Sequence, residues 1–131
     1  MAGTFHVSVV TPEREVLAAD ARFVALPSYD GEMGILARRA PLLTQLGHGL
    51  LRIELADGSR RALFISGGFA QMVEDRLTLL TEEAIESETI TMEAVRESLA
   101  AAGALPGSTL TEQGKKMQAL DRARALGRAA R

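Results

Sequence analysis

Three groups of side chains are candidates for chemistry. His6 and His48 are the two histidines. They fall in different segments without the spacing of a ligand set, so they read as a strand-surface and a turn histidine, and no metal site is expected. Ser66, in the run Ile65-Ser66-Gly67-Gly68-Phe69, is a nucleophile by type. It lacks the G-x-S-x-G frame, and no Asp/His pair is evident to activate it, so a turn after a strand is preferred. Glu82, Glu83, Glu86 and Glu88 make residues 82–88 acidic; one acidic run ordinarily forms a solvated face. The G-x-x-x-x-G-K-[ST] phosphate loop does not occur. No catalytic residue is expected.

The charge is distributed unevenly. Residues 1–106 hold nine arginines against fifteen carboxylates, net −6, while residues 107–131 hold six cations against two carboxylates, net +4. Such a basic tail can fold back on its acidic body or reach another acidic partner. Nucleic acid is a poor fit, because the tail carries no aromatic side chain to stack on bases and the whole chain is acidic. Cysteine is absent from the 131 residues, which rules out disulfides and thiolate metal sites. No apolar run approaches the ~20 residues of a membrane span. The N-terminus has no basic n-region and enters strand-like alternation at once, so no targeting peptide is expected.

The elements that would position these groups follow from periodicity. Phe5, Val7 and Val9 alternate with His6 and Ser8, a half-buried strand. Further short runs follow: RFVALPS, LLTQL, GLLRIEL, RRALFIS, FAQMV and RLTLLTE. Turn signals separate them at Asp30-Gly31, Asp57-Gly58, Gly67-Gly68 and Glu74-Asp75. Strands at this spacing argue a sandwich or barrel, and the coarse picture over residues 1–86 is an antiparallel β-sandwich. After Ile85 the period changes. Met92, Val95, Leu99 and Ala102 form a helical stripe over about 91–102, capped by Thr89 or Thr91 and ended by Gly103 and Pro106. Leu110, Met117 and Leu120 share a face of a second helix over about 109–127. Residues 87–131 therefore read as a C-terminal α-helical hairpin.

The stretch at residues 31–53, GEMGILARRAPLLTQLGHGLLRI, resembles the ATP synthase epsilon subunit family. That family shows a Gly-Glu-Leu-Gly-Ile turn, then Pro-x-His-Ala-Pro-Leu-Leu-Thr, then a glycine turn into an Arg-Ile strand. Gly31, Glu32, Gly34 and Ile35 fit the first part, Ala40, Pro41, Leu42, Leu43 and Thr44 the second, and Gly49, Arg52 and Ile53 the third. VVTPEREVLAADA and FISGGFAQMVEDRLTLLTEEAI add support in the right order. The helices agree by layout alone.

The resemblance implies a non-catalytic rotor subunit that couples proton flow to ATP synthesis. It implies contacts with the gamma subunit, the c-ring and the alpha/beta catalytic head, and membrane association only through that complex. A peripheral position on the cytoplasmic face of a bacterial cell membrane is expected. Glu32, Arg38 and Arg39 become candidates for c-ring contact, with Ala37-Arg38-Arg39 standing where the family has Pro-x-His. Lys115, Lys116, Arg122, Arg124 and Arg128 become candidates for a beta-subunit contact that brakes ATP hydrolysis. No cofactor is required. The regulatory ATP of some members is carried by an Ile/Leu-Asp-x-x-Arg-Ala motif on the first helix; here residues 90–95 lack its Asp and Arg. Asp121 and Arg124, on the second helix, are the only remaining carriers, and an i, i+3 helix pair is the simpler reading of them. The competing classes are a stand-alone β-sandwich interaction module and a small hydrolase.

Overall fold

Alternation places the first strand. β1 (Phe5–Val10) buries Phe5, Val7 and Val9 and leaves His6, Ser8 and Val10 half-buried. β2 (Glu15–Ser28) is far longer than its apolar second half suggested. The computed structural model describes residues 3–130, and in it β2 serves both layers of the sandwich. It pairs with β1 through Glu15–Ala21 and with β5 (His48–Leu55) through Ala21–Ala25. Arg22 is skipped in the second register: Ala21 faces Leu55, yet Phe23 faces Glu54. A bulge of one residue exchanges the faces of a strand. Accordingly the inward set changes from Leu17 and Ala21 to Val24 and Leu26.

The first layer contains β4 (Leu42–Gln45), β7 (Phe69–Val73), β8 (Arg76–Leu80), β1 and the start of β2. The second contains β3 (Gly31–Leu36), the end of β2, β5, β6 (Arg60–Ser66) and β9 (Glu83–Glu86). Between them lies one core that includes Val9, Leu77 and Met72 from the first layer and Leu26, Leu51, Ile53 and Leu63 from the second. The sandwich is antiparallel as expected, with one exception: β1 and β8 pair in parallel, His6 opposite Arg76 through Val10 opposite Leu80. These strands lie far apart in sequence, and no local pattern carries their relative direction.

Three of the four expected turns fall where their residues put them. Gly58 takes φ 91°, and Ser59 donates both its hydroxyl and its amide to Asp57 Oδ1, at 2.6 and 2.8 Å. Those bonds hold the Asp57 carboxyl below its ordinary range. Glu74 and Asp75 both have positive φ, 49° and 59°, the primed-turn geometry that suits a two-residue hairpin. Gly67 and Gly68 also take positive φ. The fourth turn differs. Ser28 pairs with Gly31, so the hairpin tip is Tyr29-Asp30, and Gly31 to Leu36 is a strand rather than a glycine-pinned turn. Ser28 Oγ lies 2.7 Å from both Asp30 Oδ1 and the Gly31 carbonyl, which closes the tip. Gly34 is small for a packing reason: a Cβ there would sit 3.1 Å from the Phe23 ring.

A short 3-10 turn (Ser87–Thr89) leads to the hairpin, α1 (Met92–Gly103) and α2 (Leu110–Ala129). Thr91 caps α1 by accepting from Ala94 N, and Thr109 forms a capping box with Glu112 on α2. The expected stripe on α2 is not the packed one. Leu110 and Met117 are 86% and 64% exposed, while Ala123, Ala125, Leu126 and Ala129 are buried. Only the last turns of α2 reach the sandwich, where small residues allow close approach to Phe64, Leu50 and Ile85. On α1, Val95 and Ala102 are buried, but Met92 remains largely exposed. Gly127 lets the helices close on one another, since a Cβ there would meet Val95 Cγ1 at 3.2 Å.

Candidate functional site

Three regions can make contacts: the two ends of β3, the outer face of β4, β7 and β8, and the hairpin. Glu32, second in β3, is exposed at the tip end of the β2–β3 hairpin, and its Oε1 accepts from Arg52 Nη2 at 2.9 Å. Arg38 and Arg39 follow the far end of β3 and are also exposed. At about 3.3 Å per strand residue, Glu32 and Arg38 stand roughly 15–20 Å apart. The expectation put the turn that bears Glu32, and the segment just after it that bears Arg38 and Arg39, in one c-ring contact; in the fold β3 lies between them. Arg38 is held from its backbone, its amide donating to Asp75 Oδ1 at 2.6 Å.

The second surface was not legible as a site. The outer face of β4, β7 and β8 exposes Leu43 at 69%, Phe69 at 54% and Leu80 at 55%, with Val73 beside them. Phe69 lies directly opposite Leu80, and Leu43 opposite Gln71. The signal was present as apolar residues on both faces of FAQMV and RLTLL. Half-buried strands of a self-contained sandwich should be polar on the outside; here Gln45, Gln71, Thr78 and Arg76 share the face with exposed apolar side chains, and such a mixed face, with large apolar groups among polar ones, points to a partner.

The third surface is the docked hairpin. Arg122 is turned toward the sheet, where Nε and Nη2 donate to the two carboxylate oxygens of Glu83 at 2.5 and 2.7 Å. Its guanidinium carbon also lies 5.6 Å from the centre of the Phe64 ring. Hydrogen bonding to Glu83 raises the Arg122 pKa above its ordinary value, against the opposing effect of burial. Ser87 Oγ donates to the Ala129 carbonyl and ties the helix end to the 3-10 turn. Residues 82–88 are thus not simply a solvated face: Glu83 holds Arg122, Glu86 holds Arg61, and Ser87 is buried. Lys115, Arg124 and Arg128 remain exposed, and Lys116 is half-buried. Asp121 and Arg124 lie 3.8 Å apart as an exposed helix-surface pair.

Ser66 and His48 do meet. His48 is the first residue of β5, paired across from Ser66, and its Nδ1 lies 2.8 Å from Ser66 Oγ. That is the nucleophile–base contact the sequence did not reveal. Ser66 is only 2% exposed, and its amide and carbonyl are both bonded to Thr81 Oγ1. A substrate carbonyl has no approach to it, so the pair ties strands together. A concavity of about 520 Å³ is lined by Arg52, Arg60 and Arg61 together with Glu54, Glu86 and Glu88. Equal numbers of opposite charges give it no preference for anion or cation. Neither Asp121 nor Arg124 lines it. Among the described residues no group of three metal-ligating side chains occurs, and no helix is long and apolar enough to cross a membrane.

The family described as ATP synthase, Delta/Epsilon chain, beta-sandwich domain matches residues 4–87. The ATP synthase epsilon chain of Rhodopirellula baltica is 42% identical over 123 residues, covering 94% of this chain and 95% of that one. The epsilon chain of a Synechococcus species is 37% identical over 129 residues, covering 97% and 93%. Among solved structures, a chain of Euglena gracilis mitochondrial ATP synthase, from an assembly containing the c-ring, superposes with TM-score 0.84 at 25% identity over 96% of this chain and 81% of that one. A chain of the Tetrahymena thermophila mitochondrial ATP synthase central stalk and c-ring shares the fold, at TM-score 0.74 and 17% identity over 99% and 98%. Sandwich, hairpin and sequence agree over nearly the whole length, and the chain belongs to the ATP synthase epsilon chain family.

Proposed function

We propose that this chain is a non-catalytic central-stalk (rotor) subunit of a proton-translocating F-type ATP synthase, coupling proton flow to ATP synthesis. The exposed apolar face of β4, β7 and β8 carries the reading. Left in water, Leu43, Phe69 and Leu80 would be a liability; against a gamma subunit they become the buried centre of an interface. The Tyr29-Asp30 tip with Glu32 is the surface offered to the c-ring. Arg38 and Arg39, at the other end and beside the β7–β8 turn, fit the rim of the gamma contact better than the ring. Attachment through these partners makes the chain a peripheral component on the cytoplasmic face of the bacterial cell membrane.

In this reading the hairpin has a second role as a brake on ATP hydrolysis, exerted through its exposed cations on the alpha/beta head. The docked hairpin would be the disengaged form. Regulatory ATP has no support from the Asp121–Arg124 pair, which is open to solvent and already self-paired.

Pull-down of the tagged chain with the gamma subunit tests the stalk role directly. Phe69→Glu and Leu80→Glu should each weaken binding about tenfold or more, because each puts a charge in the desolvated centre of the patch. Unchanged binding by both variants would move the interface elsewhere. Failure of the unmodified chain to bind gamma would favour a stand-alone interaction module.

A further inference from the structure

Arg38 has φ 64°. The left-handed region is the province of glycine and, less often, of asparagine and aspartate; arginine occupies it at a conformational cost. Nothing in the core requires the side chain, which is exposed. The backbone is held there by one specific bond, the Arg38 amide donating to Asp75 Oδ1 at 2.6 Å. Asp75 is itself fixed, since it sits in the primed turn with φ 59° and its carbonyl accepts from the His6 amide at 2.9 Å. Its carboxylate accepts this backbone N–H and, among the described residues, forms no ion pair. Neither Arg38 nor Arg39 makes an ion pair among the described residues. The result is two adjacent uncompensated guanidinium groups on an acidic body, at the corner where the β3–β4 connection passes the β7–β8 turn and Val73. Strain that persists at an exposed residue is commonly the mark of a contact that needs the side chain.

We propose that Asp75 is a positioning residue that locks Arg38 in its left-handed conformation, so that Arg38 and Arg39 present a preformed cationic corner to a carboxylate of the gamma subunit. The inference rests on the stalk reading above. A guanidinium fork matches a carboxylate in two parallel hydrogen bonds, and a side chain that already leaves the backbone toward its partner loses less freedom in forming them. The Asp75 bond fixes, through the backbone, the direction in which the Arg38 side chain leaves the chain. It leaves both arginine side chains available, at the edge of the apolar face rather than its centre. Charge at an interface rim chiefly sets association rate and salt dependence.

The full-length chain and its gamma subunit serve for the test, with thermal unfolding and gamma affinity measured at low and high salt. Arg38→Gly should melt no lower than the unmodified chain, because glycine accepts the conformation, yet bind gamma about threefold or more weakly with a flatter salt dependence. Asp75→Ala should weaken binding to the same degree, whereas Asp75→Asn, which retains the acceptor oxygen, should bind as the unmodified chain does. The Arg38→Gly/Asp75→Ala double variant should bind no worse than Arg38→Gly alone. Full-strength binding by Arg38→Gly, or an Asp75→Asn variant as weak as Asp75→Ala, overturns the proposal. If Asp75→Ala does not fold, Arg38→Gly and Asp75→Asn still decide it. Loss of gamma binding by the unmodified chain removes the stalk reading and this inference with it; binding by the unmodified chain with a null Arg38→Gly result removes the inference alone.

Discussion

Gly68 shows how much of the contact face depends on one missing side chain. Its φ is 97°, and a Cβ on it would stand 1.8 Å from the Leu80 carbonyl oxygen. No rotamer relieves that overlap, because the obstruction is backbone. The same residue accepts from the Leu46 amide at 2.8 Å and precedes Phe69, so the turn fixes both Phe69 and its neighbour Leu80. Gly68→Ala should therefore cost about 3 kcal/mol or more in urea unfolding, the range of strained left-handed sites with a steric conflict. Gly67→Ala provides the internal comparison. Its nearest neighbour is a flexible Glu82 carboxyl carbon 3.8 Å away, so the cost should be about 1–2 kcal/mol from the backbone conformation alone. Equal losses at the two positions would contradict the steric account. The glycine pair was visible in the sequence as a turn. The left-handed Arg38 was not, because arginine carries no turn signal and its holder, Asp75, is 37 residues away. The His48–Ser66 contact was hidden for the same reason of distance.

At the scale of elements, local chemistry was readable and long-range pairing was not. The helices begin and end within two residues of the expected positions, since caps and glycine stops are local. The Thr109-x-x-Glu112 capping box was equally available and sharpens the start of α2. What α2 packs against was less accessible. Its clue lies on β6, where Leu63, Phe64 and Ile65 are all fully buried in sequence. A strand covered on one face alternates; three consecutive buried residues need a cover on both faces. Phe64 is the outward one, and α2 covers it with alanines and one leucine. So thin an apolar contact gives the Arg122–Glu83 pair unusual weight in holding the helix down. Arg122→Met keeps an unbranched apolar side chain but removes the bidentate pair and the guanidinium over Phe64, and should loosen docking by about 1–2 kcal/mol. Amide exchange in the last turns of α2 should then quicken, with the amides of β1 and β8 unaffected. Exchange unchanged throughout α2 would mean that Ser87, Leu126 and the alanines suffice to dock it.

For the molecule as a whole, the charge asymmetry offered two outcomes, folding back or reaching out, and the structure realises the first. Arg122 lies on Glu83, which belongs to the acidic body, while Lys115, Arg124 and Arg128 still face outward. The two outcomes therefore compete for one helix, and the proposed brake requires undocking before the cations can reach the head. Deleting residues 107–131 should raise ATP hydrolysis of the reconstituted complex about fivefold or more, the scale of an ordinary regulatory coupling. Deletion also uncovers Phe64 and Leu50, so a rise alone does not identify charge as the cause. Replacing Lys115, Lys116, Arg124 and Arg128 together by alanine separates the two. Alanine favours helix and the Arg122–Glu83 pair is kept, so the hairpin should dock as before. If the brake acts by charge, this variant should match the deletion in hydrolysis, and high salt should release the unmodified complex in the same way. A rise on deletion without one in the alanine variant would mean that the hairpin obstructs the head by its bulk. Hydrolysis unchanged by deletion at low salt would leave α2 with no braking role, as a cover for the apolar outer face of β5 and β6.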